Sequence, residues 1–197
     1  STVLPDWVGR PAPKVAPRLE TISPSKLGGT KALASEAGMD EETAKSYGTL
    51  VHILLEHLPT FPREGWLGLA PKLLVQARSS LPDGLADQAC KEAISILLKP
   101  DMAGLFHQDA LAEVSVTADL DGDRLHGTID RLIIGDTSVI AVDFKTNRAI
   151  PRNPSEAPDG LLRQMGAYSH ALKQIYPTKQ IITEILWTAH GKRMRFP

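Results

Sequence analysis

The stretch "VIAVDFKTNRAI", residues 139–150, runs from apolar residues straight into Asp143, Phe144 and Lys145. Side chains alternate between the two faces of a strand. Ala141, Asp143 and Lys145 therefore share one side, while Ile140, Val142 and Phe144 form the side that suits a core. A carboxylate and an ammonium then stand together at the strand's end. The preceding strand-like segment, "HGTIDRLII", carries a second acid. If the turn takes Gly135 to Ser138, Ile134 faces Val139 and Asp130 falls directly opposite Asp143. Opposed residues hold their Cβ atoms about 5 Å apart, so these two charges repel unless a cation lies between them. Mg²⁺ suits such a gap, because it takes carboxylate oxygens, keeps several waters and leaves room for phosphate oxygens. Asp-x-Lys alone is more often a surface ion pair. The weight falls on what converges with it.

Two helical segments supply further groups. In "YGTLVHILLEHL", Gly48 and His52 lie one turn apart on a shared face. Glycine inside a helix costs about 1 kcal/mol relative to alanine, so Gly48 marks an expected close approach by another backbone. His52 can then offer its imidazole to a metal; a hydrogen-bonded core histidine is the plainer alternative. In "LLRQMGAYSHAL", Gln164 and Tyr168 are likewise one turn apart. An amide and a phenol so placed can grip a phosphate or base and orient a lysine. Tyr168 also falls on the apolar stripe of Leu161, Met165, Leu172 and Ile175, where packing alone would explain it.

The elements that must position these residues can be read from periodicity and punctuation. Residues 1–20 hold four prolines and read as an extended linker from an upstream domain; the opening Ser, with no initiator Met, fits a piece of something longer. "ISPSKLGG" suggests a short helix capped by Ser23 or Ser25. Asp40 can cap a helix that keeps its apolar spacing to Pro59. A short helix follows within residues 61–84, then one beginning at Asp83 or Asp87 and stopped by Pro100. "LAEVSVTADL", "RLHGTIDRLII" and "SVIAVDFKT" are strand-like, separated by "DGD" and "GDT" turns. After a proline-laden loop, Asp159 is the candidate cap for the helix "GLLRQMGAYSHALKQIY", which Pro177 ends. "QIITEILWTA" is a strand and "GKRMRF" a candidate return strand. Helices, a meander, a helix and a strand give an α/β or α+β domain with helices packed on a central sheet.

Composition narrows the function. The chain has 197 residues, a formal net charge of −1 and 42% hydrophobic residues, the balance of a soluble globule without a global cationic pull on nucleic acid. Any DNA contact must be local. One cysteine, Cys90, can form neither an internal disulfide nor a four-cysteine cluster, and a reducing, cytoplasmic setting is expected. No apolar run reaches the ~18 residues of a membrane span.

In order, Gly48-x-x-x-His52 on a helix, Glu113 on a strand, Gly127-x-x-Asp130, Asp143-x-Lys145 and Gln164-x-x-x-Tyr168 on a helix resemble the RecB-type branch of the PD-(D/E)xK nucleases. "GTLVH", "GTIDRL", "VDFKTN" and "QMGAYSHAL", with the leader "ISPSKL", are most similar to nuclease domains of AddAB-type helicase–nucleases that process double-strand breaks. The resemblance implies a restriction-endonuclease-like α/β fold over residues 21–197, a central mixed sheet flanked by helices, and DNA phosphodiester hydrolysis. It implies His52, Asp130, Asp143 and the carbonyl of Phe144 as metal ligands, and Lys145 as the catalytic amine. Gln164 and Tyr168 would steer the strand, and Glu113 is a nearby acid of open role. Mg²⁺ is the implied cofactor, with Mn²⁺ as substitute. The implied partners are single-stranded DNA, helicase domains of the same full-length chain and an AddB-like subunit, with no membrane. Some relatives hold an iron–sulfur cluster on four cysteines; Cys90 alone cannot. Competing readings are a non-catalytic module that guides DNA or docks a partner, and a stand-alone exonuclease of phage or CRISPR type.

Overall fold

The computed structural model describes residues 21–29, 39–77, 82–120 and 122–197; the linker expected over residues 1–20 lies outside them. Helix α1 (Glu41–His57) begins where Asp40 accepts a hydrogen bond from the Thr43 backbone N–H at 2.9 Å. Glu41 and Glu42 sit in its first turn, where the helix dipole favours anions. It ends before Pro59, which lies in a 3-10 turn. Helices α2 (Trp66–Leu73) and α3 (Leu85–Leu97) follow, the latter opening after Gly84 at φ 84° rather than at either aspartate. Strands β2 (Leu111–Leu120), β3 (Asp123–Ile134) and β4 (Ser138–Lys145) form the meander. Helix α4 (Asp159–Ile175) then crosses over to β5 (Gln180–Trp187), and β6 (Lys192–Phe196) returns. Pro158 precedes α4, so Asp159 is its first residue and not its cap. One element has no periodic signal, being only two residues long. It is β1 (Thr21–Ile22), followed by a 3-10 turn at Pro24–Lys26.

The mixed six-stranded sheet takes its shape from β3. Strand β2 runs antiparallel along one edge of β3, from Leu111↔Leu132 to Leu120↔Asp123. The opposite edge is divided. There β1 pairs in parallel at Arg124 and Leu125, and β4 pairs antiparallel from Arg131↔Val142 to Ile134↔Val139. That register is the one the four-residue turn requires. Strand β5 is parallel to β4, and β6 antiparallel to β5. Between Leu125 and Arg131 the edge of β3 has neither β1 nor β4 beside it. The site lies in that gap.

Helices cover both sides. Helix α4 packs Leu161, Met165 and Leu172 against Val139, Ala141 and Trp187. Helices α1 to α3 pack Leu50, Leu54 and Ala93 against Val142 and Phe144 on the other side. The alternation along β4 holds, but the expectation of a single core face does not. A parallel β4–β5 pair joined through a helical crossover is buried on both faces, so the Asp143 side is roofed by α4. Ile175 leaves the core stripe at the end of α4 and is 46% exposed. Cys90 is buried on α3. Among the described residues no helix is long and apolar enough to cross a membrane.

Candidate active site

Where β4 stops pairing with β3, its last residues and the end of the pairing leave a notch. Asp130 is the first residue of β3 past the ladder, and its carboxylate accepts from the Phe144 backbone N–H. This bond occupies an amide that a continuing ladder would have used, and it fixes Asp130 at the strand junction. Asp143 is 4% exposed. Its Oδ1 accepts from Gln164 Nε2 at 2.6 Å, and its Oδ2 accepts from Lys145 Nζ. Gln164 Nε2 also donates to Tyr168 Oη at 3.3 Å, and Tyr168 donates onward to the Thr128 carbonyl at 2.6 Å. Thr128 lies on the open edge of β3, so Tyr168 ties α4 to the unpaired backbone there. Tyr168 is thus both core and site.

His52 arrives from the α1 side. Its Nδ1 is 3.3 Å from Asp130 Oδ1, and its Nε2 is 3.3 Å from the Phe144 carbonyl oxygen. The ring meets Phe144 edge-on, with centroids 5.5 Å apart. Gly48, one turn earlier, does not admit a backbone. Its neighbour is the Thr146 side chain, whose Oγ1 would lie 3.4 Å from an added Cβ. Gly48, His52, Phe144 and Thr146 line a cleft of about 460 Å³ that also includes Glu113 and Lys145.

Glu113 joins through the other edge of β3. The pairs Ala112↔Arg131 and Val114↔Ile129 bracket it, so that register sets Glu113 against Asp130, and one further step of the β3–β4 register sets Asp130 against Asp143. Three acids thus cross three adjacent strands in one rank. Glu113 has φ 49°, the one positive value at a non-glycine among the described residues. Side chains there are strained, and such strain is commonest at functional sites.

Charge follows from this crowding. Burial would pull the His52 imidazole down, but the hydrogen bond and charge of Asp130, with Asp143 behind it, leave its pKa raised. Burial raises the Glu113 carboxyl, and the charges of Asp130 and Glu56 raise it further. Burial raises Asp143 as well; the Lys145 ammonium opposes that, while Asp130 adds to it. His52, Glu113 and Asp130 offer ligand atoms that all lie within 4.8 Å of one another. Two carboxylates and an imidazole at that spacing fit a divalent cation. Glu113 therefore stands in one donor group with His52 and Asp130. Asp143 borders it, with its oxygens turned to Gln164 and Lys145.

Arg131 was not among the residues singled out from the sequence, although it is the lone cation inside the run "IDRLII". It is 4% exposed and donates to the carbonyls of Leu55, Glu56 and Ala110. Its guanidinium also lies over the Phe106 ring, 5.2 Å from the centroid. It therefore satisfies carbonyls in the last turn of α1 and locks the His52 helix to the strand that carries Asp130. The sequence marks the turn at Pro24–Lys26 only as a short helix. It lines a second cleft, of about 440 Å³, on the α4 side of the two aspartates.

The model of the PD-(D/E)XK nuclease superfamily matches residues 27–195, and the chain belongs to that superfamily. Its sheet and flanking helices are that fold. A crystal structure from Eubacterium rectale, provisionally assigned as an exonuclease, is similar with a TM-score of 0.52 and 13% identity over 81% of this chain and 60% of that one. A second structure, of a protein called SSO0001, aligns with 17% identity and a TM-score of 0.34 over 74% of this chain and 65% of its own, too loosely to carry weight. The chain spans less than two thirds of either. No curated protein matches its sequence.

Proposed function

We propose that this domain is a divalent-metal-dependent deoxyribonuclease that hydrolyses phosphodiester bonds, with Mg²⁺ as its ion and Mn²⁺ able to substitute. The observation that carries the reading is the notch itself. Asp130, Asp143 and Lys145 meet where β3 and β4 part, with His52 beside them. His52, Asp130, Asp143 and the Phe144 carbonyl would hold the ion, with Glu113 as a further carboxylate donor. A divalent ion held by these residues would polarise the scissile phosphate and acidify a water. Lys145, held by Asp143, orients the attacking water or donates to a phosphate oxygen. Gln164 holds the far oxygen of Asp143, so it fixes the carboxylate that positions Lys145. Tyr168 anchors Gln164 in turn.

The finer reading is the C-terminal nuclease domain of AddA, the helicase–nuclease subunit of bacterial AddAB complexes. Its support is the set "ISPSKL", "GTLVH", "GTIDRL", "VDFKTN" and "QMGAYSHAL" in that order. Residues 1–20 are then the linker from the helicase domains, residues 21–197 the nuclease, and an AddB-like subunit the partner. The helicase delivers single strand to the notch, which suits a domain of net charge −1. A stand-alone exonuclease would use the same residues, and fusion behind a superfamily 1 helicase separates the two. The activity is tested by cleavage of labelled single-stranded DNA after stripping with EDTA and adding back Mg²⁺ or Mn²⁺. Asp143→Ala and Lys145→Ala are expected to lose cleavage while keeping the wild-type circular dichroism spectrum. Full activity in either folded variant refutes the assignment.

A further inference from the structure

The second cleft has a wall that the chemistry of bond cleavage does not use. Ser23, Ser25 and Lys26 form that wall, and the cleft contains His126, Asp130 and Asp143 as well. We infer that the Ser23–Lys26 turn is a phosphate-binding subsite, holding the nucleic-acid phosphate next to the one that is cut. The inference rests on the nuclease reading above and gives its substrate a second anchor.

Three features carry it. The first is chemical. Two hydroxyls and an ammonium are groups proteins commonly use to hold phosphate oxygens, and here Ser23 Oγ and Ser25 Oγ lie 2.9 Å apart, at one locus. Among the described residues Lys26 makes no ion pair. The second is that the turn is fixed in place. Pro24 is buried in a recess that exists only because residue 127 is glycine: a Cβ there would lie 2.6 Å from both Cγ and Cδ of the proline ring. Strand β1 pairs with β3 just before the turn, and Arg163 Nη1 donates to the Leu27 carbonyl at 3.1 Å just after it. Gly29 then comes so close to α4 that a Cβ would lie 2.7 Å from the Gly160 nitrogen. A turn pinned to β3 and α4, the elements carrying Asp130 and Gln164, loses little freedom on binding. The third is electrostatic. The floor of this cleft is two carboxylates, so an anion enters only if cations line the approach. A metal on the acids answers one phosphate, and Lys26 answers its neighbour. The Gly127-x-x-Asp130 spacing thereby gains a physical reason, since the glycine seats the binding turn and the aspartate, three residues on, marks the notch.

The test is binding of a fluorescent single-stranded oligonucleotide to the 197-residue chain, at one fixed Ca²⁺ concentration to hold off cleavage, across a range of NaCl. Lys26→Ala is expected to raise Kd roughly tenfold at low salt. It should also reduce the slope of log Kobs against log salt by about 0.7, the contribution of one phosphate contact on a single strand. Gly127→Ala should weaken binding in the same sense by displacing Pro24. Lys72→Ala, exposed on α2 and outside both clefts, should leave Kd and slope unchanged. A calorimetric Mn²⁺ titration of Lys26→Ala should match wild type. If the wild type binds DNA and Lys26→Ala keeps both affinity and slope, the subsite is overturned and the nuclease reading stands. If the wild type binds no DNA at all, the subsite is overturned as well, and the cleavage assay alone decides the nuclease reading.

Discussion

Asp143 pays for its position with stability, and Asp143→Asn should expose that cost. The carboxylate is 4% exposed and its pKa is raised above the ordinary 3.8, first by burial and then by Asp130, despite the Lys145 ammonium. A raised value for an acid means that the folded state holds the proton more tightly than the unfolded one. The stabilising influence of the neutral form is therefore complete below the ordinary value and is lost as pH climbs through the raised one. Above both values the charged side chain destabilises the metal-free fold by a constant amount. Asparagine keeps the acceptor for Gln164 Nε2, while Lys145, whose side chain is 22% exposed, can turn to water. Replacing a whole buried pair by neutral groups is often stabilising by about 1–4 kcal/mol, whereas removing one partner destabilises when the other charge stays buried. Lys145 reaches water, so the gain here is held to the low end. About 1 kcal/mol is a Tm increase of roughly 2–4 °C for a chain of this size. Metal reverses the order. At a Mn²⁺ concentration 100 times its Kd the wild type gains about 2.7 kcal/mol. A variant binding about 100-fold more weakly gains only about 0.4 kcal/mol. Thermal melts in EDTA and in Mn²⁺ at about pH 8, and in EDTA at about pH 3, read all three quantities. The reasoning is refuted if the variant is the less stable protein in EDTA at the higher pH, if its advantage survives unchanged at the lower, or if Mn²⁺ stabilises both proteins equally.

The other residues of the notch give separate readouts. His52→Ala should weaken Mn²⁺ binding by about 10–100-fold in a calorimetric titration; an unchanged titration removes it from the ligand set. Glu113→Gln should cost about tenfold in the same measurement if its carboxylate is a donor, and nothing if the strained backbone alone matters. Arg131→Met removes the donor shared by the carbonyls of Leu55, Glu56 and Ala110. It should destabilise the fold by about 3 kcal/mol in urea, and a loss below about 0.5 kcal/mol, the size of an ordinary surface substitution, would deny it the role of fastening α1.

What the chain disclosed in advance and what it hid have different physical causes. The Asp130–Asp143 opposition was legible because a hairpin's register follows from the length of its turn, and the side-chain period along each strand is two. The three strands of the meander and α1 and α4 were legible because each carries enough apolar residues at one period to be read locally. Gly127 was visible as part of a pattern, but its purpose was not, because the proline that fills its recess lies about a hundred residues away in a segment too short to show periodicity. Arg131 was hidden for a related reason. Its partners are backbone carbonyls from two distant segments, and a carbonyl has no sequence signature. The roof over Asp143 was missed because a strand pattern reports that a face is apolar, and not whether a helix also covers a face bearing one aspartate and one lysine. These failures share a location. Each concerns a contact that brings a remote segment onto β3 or β4 beside the notch, and the notch exists only because β1 and β4 divide one edge of β3 between them. A site built in the gap between two partial pairings draws its groups from every element bordering the gap. Its chemistry-bearing residues can therefore be named one by one from local spacing, while the residues that hold them at working distance belong to the topology.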